Sequence, residues 1–249
     1  MDDLALAASL VKEAGALAAR MLREGLSIER KTSITDVVSA ADHAAEELIV
    51  ARLRAERPDD GIVGEEGTSD SAGGPRVWYV DPVDGTYNFV SGIPVWCAAV
   101  ALGEEVGAVY QPATDELWTG GPAWPTMLNG AMLPPLGNRP LGEVSLATYL
   151  HPTTLPDATL REPLLHVMRG AATVRMLGSG SVELAAVAAG RLGASIQSDS
   201  LPWDWLPGAA LVRGAGGVAE VISAAGHHWN VAGNRRTVDE IAARLADLR

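Results

Sequence analysis

The chain has 249 residues, 47% hydrophobic and 20% charged, a balance that excludes a disordered, collagen-like or coiled-coil protein and leaves enough apolar mass for a packed core. Lys and Arg total 19 against 31 Asp and Glu; the formal net charge of -12 repels phosphate backbones and anionic lipid, so neither nucleic acid nor a membrane is an expected partner. The acidic Met1-Asp2-Asp3 start is unlike a signal peptide, and no apolar run approaches the roughly 20 residues of a membrane span, which points to a cytoplasmic protein.

Leu4, Ala7, Ala8, Val11, Ala14, Ala18, Met21 and Leu22 recur at helical spacing and predict an amphipathic helix over 3–24, stopped at Gly25. After a polar loop, Ser39 with Asp42 resembles a capping box, and Ala45, Leu48, Ile49 and Leu53 form the buried stripe of a second helix that Arg57-Pro58 ends. Short β-rich runs follow at 61–64, 77–80, 95–102 and 106–111. Cys97, the only cysteine, falls in the third of these and reads as an inert core thiol. Residues 120–142 are crowded with Gly and Pro and read as loop or irregular hairpin. Helix 157–169, strand 173–177, helix 182–189, strand 194–197, helix 205–213, strand 217–221 and helix 237–248 complete the chain. This order predicts layered α and β structure around more than one sheet. We expect one unit over 1–249, an α+β half to about residue 140 and an α/β half from 141.

The densest constellation is Trp78-Tyr79-Val80-Asp81-Pro82-Val83-Asp84-Gly85-Thr86, an apolar strand running into two carboxylates, with Pro82 and Gly85 making the segment a turn. Such a strand end can aim Asp81, Asp84 and an intervening carbonyl at one place, which suits a hard cation such as Mg²⁺. A solvated Asp-Pro, Asp-Gly turn has the same local pattern. Gly64-Glu65-Glu66-Gly67 also ends an apolar strand; alone it reads as a solvated loop. Two neighbouring strands ending in carboxylates would gather several like charges at one sheet edge, and cations relieve that cost. In Leu201-Pro202-Trp203-Asp204-Trp205 the acid fits either a helix cap or a ligand. Gly178-Ser179-Gly180-Ser181, before a helix, could seat an anion on backbone N–H groups or be a flexible turn. Neither a phosphate-binding Gly-Lys-Ser/Thr loop, a dinucleotide fingerprint nor a Gly-x-Ser-x-Gly elbow occurs. His227-His228 lacks zinc partners and reads as a solvated loop.

Taken together, Gly64-Glu65-Glu66, Asp81-Pro82-Val83-Asp84-Gly85-Thr86 with Asn88-Phe89 and Gly92-Ile93-Pro94, and Trp203-Asp204 resemble the inositol monophosphatase family. The likeness extends to Lys31, Asp36, Val38-Ser39 and Asp42 upstream and to Asn129-Gly130, Gly178-Ser179-Gly180 and Ala215-Gly216-Gly217 downstream. It implies a layered α/β/α/β/α sandwich, as in fructose-1,6-bisphosphatase, and Mg²⁺-dependent, Li⁺-sensitive hydrolysis of a small phosphate monoester by a homodimer. It also implies that Glu65, Asp81 and the Val83 carbonyl hold a first Mg²⁺, that Asp81, Asp84 and Asp204 hold a second, and that Glu66 with Glu65 borders a third. Thr86, linked to Asp42, would with Glu65 activate water, while the Gly85 and Thr86 N–H groups receive phosphate. Lys31 matches a family lysine near the metal waters, or is a surface lysine. The substrate-facing residues would be Asp84, Gly85, Thr86, Ser179 and Gln197.

Gln197 stands where inositol-cleaving members carry a glutamate that bonds ring hydroxyls. An amide can accept from a hydroxyl and can also donate but carries no charge for a cation, which leaves inositol phosphate or a related polyol or sugar phosphate open and weighs against histidinol phosphate, whose amine would welcome an acid. Residues 54–67 nonetheless resemble actinobacterial histidinol-phosphatase relatives, so histidinol phosphate or a specialised-pathway intermediate is the alternative substrate. A non-catalytic interaction protein on the same fold is the alternative class. Pro207, in a helix start usually rich in Ala, and the short Pro-rich 120–142 segment depart from the family pattern and could reshape the pocket or the dimer contact.

Overall fold

In the computed structural model, which describes residues 1–25, 28–30, 37–70 and 74–247, helix α1 (Asp3–Glu24) starts on an Asp2 side chain that accepts from the Ala5 N–H and stops where Gly25 turns to φ 98°. Strands β1 (Ile28–Arg30) and β2 (Val37–Ser39) form a two-stranded antiparallel pair before helix α2 (Ala40–Glu56). Lys31, Asp36 and the Ser39 side chain lie outside the described residues, and with them the Ser39–Asp42 capping box.

Strands β3 (Gly61–Gly64), β4 (Ser69–Asp70) and β5 (Val77–Asp84) lead to a short helix α3 (Thr86–Val90). Then come β6 (Cys97–Leu102), β7 (Val106–Gln111), β8 (Glu116–Gly121), β9 (Trp124–Leu128) and β10 (Ala131–Met132). They form an eight-stranded sheet in the order β10-β9-β8-β7-β6-β5-β3-β4, antiparallel except where β3 runs parallel to β5. Buried on both faces, β6 divides its side chains by the two-residue strand period: Ala98, Val100 and Leu102 meet Leu6, Leu10, Ile49 and Leu53 of α1 and α2. Cys97 and Ala99 face the opposite side, where the buried thiol is pushed well above its ordinary pKa by desolvation, as expected of an inert core cysteine.

That opposite side is covered by α5 (Gly180–Ala188) and α6 (Pro202–Gly214), which also pack on a second sheet. This sheet joins β11 (Ser145–Thr148), β12 (Thr173–Arg175), β13 (Ala194–Ser198), β14 (Val218–Ala224) and β15 (His227–Gly233) in the order β12-β11-β13-β15-β14. Its outer face carries α4 (Ala158–Met168) and α7 (Arg235–Ala246), through Leu160, Leu164, Val238 and Ile241. The succession of helices, sheet, helices, sheet and helices is the predicted α/β/α/β/α sandwich. No described helix is long and apolar enough to cross a membrane.

Residues 120–142, expected as loop or irregular hairpin, hold the end of β8 with β9 and β10, antiparallel strands whose pairing shifts register between Thr119 and Gly121, and then loop. Gly120 and Gly121 are there for close approach: a Cβ would stand 2.7 Å from Thr126 Oγ1 and 2.0 Å from the Glu105 carbonyl respectively. Two other expectations are corrected. His227-His228 opens β15 instead of lying in a solvated loop; His227 Nδ1 is 2.8 Å from Asp199 Oδ2 and its Nε2 2.9 Å from Thr159 Oγ1. Finally, the strand predicted over 77–80 runs on to Asp84, so Asp81 to Asp84 is not a turn.

Candidate active site

Along a regular strand, residues three apart point to opposite faces. In β5 an irregularity between Asp81 and Asp84 changes this: Asp81 pairs with Ala99 and Asp84 with Cys97, three steps on β5 against two on β6. The extra residue is a bulge, and it returns Asp84 to the face of Asp81, the side of α5 and α6. Pro82, which cannot donate to the ladder, sits inside the bulge in an otherwise central strand. The Val83 side chain is buried on the other face with Ala18, Phe89 and Trp96.

Glu65 is brought beside Asp81 because β3 is parallel to β5, with Gly64 opposite Val80 and the Glu65 N–H on the Val80 carbonyl at 3.1 Å. The turn after β3 is held by buried Glu46 of α2, which accepts from the Glu66 N–H at 2.8 Å and the Thr68 hydroxyl at 2.7 Å. A Cβ at Gly64 would lie 2.5 Å from that carboxylate. Glu66 itself, 3.7 Å from His43 Nδ1, lines a neighbouring concavity with His43 and Glu46 and is not among the residues lining the main cleft.

Asp204 is the third residue of α6, whose N-cap is Leu201 with Pro202 following it. The helix therefore starts earlier than predicted, and Asp204 is not its cap but sits in the first turn, where the helix dipole favours an anion. One oxygen each of Asp81, Asp84 and Asp204 lies within 4.8 Å of the others. Burial pushes the Asp81 carboxyl well above its ordinary value, helped by the charges of Glu65, Asp84 and Asp204. Burial also raises Asp84, against the lowering pull of the Ser181 N–H, and lifts Asp204 to about 7 with help from Asp84. Among the described residues no Lys or Arg forms an ion pair with these three. An all-oxygen set of mutually repelling carboxylates, two of them buried and Asp204 partly so, fits a hard divalent cation.

The N-terminus of α5 does seat an anion, and that anion is Asp84: the Gly180 and Ser181 N–H groups donate to it at 3.2 and 2.5 Å. Ser179 caps the helix, its Oγ accepting from the Val182 N–H. Thr86 Oγ1 stands 3.2 Å from Asp42 Oδ1 and 3.1 Å from the Val83 carbonyl. Asn88 ties α3 to the turn before α5 by donating to the Val95 and Leu177 carbonyls.

Glu65, Asp84, Gly85, Thr86, Ser179, Gln197 and Asp204 line one cleft of about 250 Å³. Three further lining residues were not predicted: Tyr87, Tyr149 and Glu183. Tyr87 adjoins the Asp81–Thr86 motif and Glu183 is the sole charge in the apolar α5, so both left a local signal; Tyr149 follows β11, which has none. Gln197 Oε1 accepts from the Ser200 hydroxyl at 3.2 Å, and the Ser200 N–H is held by Asn230 Oδ1.

The sequence matches the inositol monophosphatase family over residues 2–246. The chain belongs to that family. Inositol-1-monophosphatase of Rhizobium meliloti is 40% identical over 73% of this chain and 71% of its own, and that of Bacillus subtilis 32% identical over 87% and 84%. Nus factor SuhB of Escherichia coli is 31% identical over 98% of this chain and 96% of its own. Among solved structures, the IMPase of Thermotoga maritima superposes with a TM-score of 0.84 at 27% identity, covering 99% of this chain and 98% of that one. As a member of the inositol monophosphatase family with this acidic cleft, the chain is a phosphomonoesterase.

Proposed function

We propose that the chain hydrolyses inositol monophosphate or a related polyol or sugar phosphate, with two or three Mg²⁺ ions held by its acidic cluster. The observation that carries this reading is the convergence of buried Asp81 and Asp84 with partly buried Asp204, without a cationic partner among the described residues, beside the Thr86–Asp42 pair. Glu65, Asp81 and the Val83 carbonyl would hold one ion and Asp81, Asp84 and Asp204 another, with Glu65 and Glu66 bordering a third. When bound, such ions make water easier to deprotonate and neutralise the charge of the ester.

The chain's own residues then have separate tasks. Asp42 orients the Thr86 hydroxyl, and Thr86 with Glu65 positions the attacking water and takes its proton. The Gly85 and Thr86 N–H groups, at the start of α3, receive phosphate oxygens. Ser179 shapes the wall beside Asp84, and Gln197 faces the leaving group. The family likeness also supports Li⁺ sensitivity, a homodimer and a cytoplasmic location.

Phosphate release from inositol, histidinol, nucleotide and sugar phosphates, measured with and without Mg²⁺, tests the reading; Mg²⁺-dependent turnover of a polyol ester is expected, and none on any ester overturns it. The likeness to Nus factor SuhB supports a second role as an interaction protein on the same fold. Normal cell function of an inactive Asp84→Asn protein, with recovery of a stoichiometric partner, would favour that role.

A further inference from the structure

The cleft has an aromatic lining that the reaction proposed above does not use. Of the four tyrosines, Tyr110 is buried and Tyr79 half-buried in β5, whereas Tyr87 and Tyr149 are 54% and 47% exposed, and both of these line the cleft. A single exposed tyrosine is ordinary on a protein surface. Two that open on the same acidic cleft give an otherwise polar site a flat apolar contact.

The fold places Tyr149 at one end of that cleft. Strands β11 and β13 run parallel with Thr148 opposite Ile196, so the next residue on each, Tyr149 and Gln197, follow side by side. Gln197 is the residue assigned to the leaving group, and Tyr149 is therefore its neighbour on the same wall. The ring is braced from behind: it meets the His151 ring at 6.2 Å and 56°, and His151 Nδ1 accepts from the Thr153 N–H at 3.2 Å and lies 2.6 Å from the Thr153 hydroxyl. Partial burial raises the Tyr149 phenol above its ordinary pKa, which keeps it neutral beside an anionic ester.

An aromatic face is apolar and carries partial negative charge at its centre. The C–H bonds on one face of a ring alcohol match it in both shape and charge. An open-chain polyol rotates about each carbon bond and must be ordered before it can present such a face, which offsets the contact. We propose that Tyr149 stacks on the leaving group, so that the cleft selects phosphate esters of cyclic alcohols over open-chain ones. The inference rests on the phosphomonoester reading and names the substrate class of that site. Tyr149 is thus a specificity-determining residue, touching the alcohol rather than the phosphorus or the attacking water.

The test compares kcat and KM of the Mg²⁺-loaded enzyme on an inositol phosphate and on a hexitol phosphate, its open-chain counterpart. Each ester is referred to its own value in the unaltered enzyme, so their different intrinsic reactivities drop out. Tyr149→Ala should raise KM for the ring ester about three- to tenfold, the scale of one aromatic contact, with a smaller rise for the open-chain ester and kcat moving less than KM. Tyr149→Phe, which keeps the ring and loses the hydroxyl, should stay close to the unaltered enzyme. Equal changes on both esters, no change on either, turnover confined to open-chain esters, or a Phe variant that behaves like the Ala variant would overturn the proposal. Absence of Mg²⁺-dependent turnover by the unaltered enzyme on every ester would overturn the reaction reading itself, and this inference with it.

Discussion

The Ser181 N–H donates to the Asp84 carboxylate at 2.5 Å, joining the end of β5 to the start of α5 across 97 residues of sequence. Gly180 adds a second donor at 3.2 Å. The α5 N-terminus is therefore occupied by a side chain of the protein, and its partial positive charge steadies a carboxylate that burial and its acidic neighbours would otherwise destabilise. The contact fixes where Asp84 stands relative to Asp204.

Asp84→Asn should lower turnover by at least about a hundredfold, more than is typical for loss of a group behind a metal ligand, while the circular dichroism spectrum keeps its native form. The amide retains an oxygen for one of the two N–H donors but loses the charge. Phosphate release in saturating Mg²⁺ is the measurement, and near-normal turnover would remove Asp84 from the site.

Stability of the metal-free protein should depend on pH through the same cluster. Asp204 is raised from 3.8 to about 7, and Asp81 and Asp84 are raised as well. The folded state thus binds protons more tightly than the unfolded chain; the stabilisation is complete below about pH 4 and is lost as pH climbs through about 7. In chelator, this cluster should lower the melting temperature over that range. Added Mg²⁺ should restore it by a margin that widens with pH, since the ion replaces the protons. Calorimetry across pH checks both statements.

Thr86→Ala should reduce kcat by about a hundredfold, the lower end expected for a group that helps transfer the water proton, and should change KM less. Thr86→Ser keeps the hydroxyl that meets Asp42 and should recover most of the rate. If Ala and Ser variants behave alike, the hydroxyl is not what matters.

Gly107→Ala addresses the placement of α6. A Cβ at Gly107 would stand 2.2 Å from the Pro207 carbonyl, so β7 and α6 would have to separate. We expect a loss of about 1–3 kcal/mol in urea unfolding together with weaker Mg²⁺ binding, because α6 carries Asp204. Unchanged metal affinity would show that the helix shift does not reach the site.

Much of the fold was legible where the signal is local. The stripe of Leu4, Ala7, Ala8, Val11, Ala14, Ala18, Met21 and Leu22, stopped by Gly25, is a nearest-neighbour pattern and α1 occupies the predicted span, although Leu6 and Leu10, outside that stripe, are buried with Ala7, Val11, Ala14 and Ala18. Beyond Gly120 only the choice between loop and irregular hairpin was legible, because Gly120 and Gly121, which locally mean a turn, serve instead to let Thr126 and Glu105 approach. The start of α6 was missed for a related reason: Pro202 is a good first helical residue, but its neighbours Trp203 and Asp204 carry no apolar periodicity of their own.

The sequence by itself determined the chemical inventory: the spaced acids Glu65, Asp81, Asp84 and Asp204, Thr86 with Asp42, and the family to which that order belongs. Only the tertiary structure decided that a bulge turns Asp81 and Asp84 to one face, and that α5 holds Asp84 rather than presenting its N-terminus to a ligand. Motifs report residue types and short spacings. Facing direction, burial and the pairing of polar atoms depend on contacts between distant segments, which form only when the two sheets and α5 and α6 close around the site.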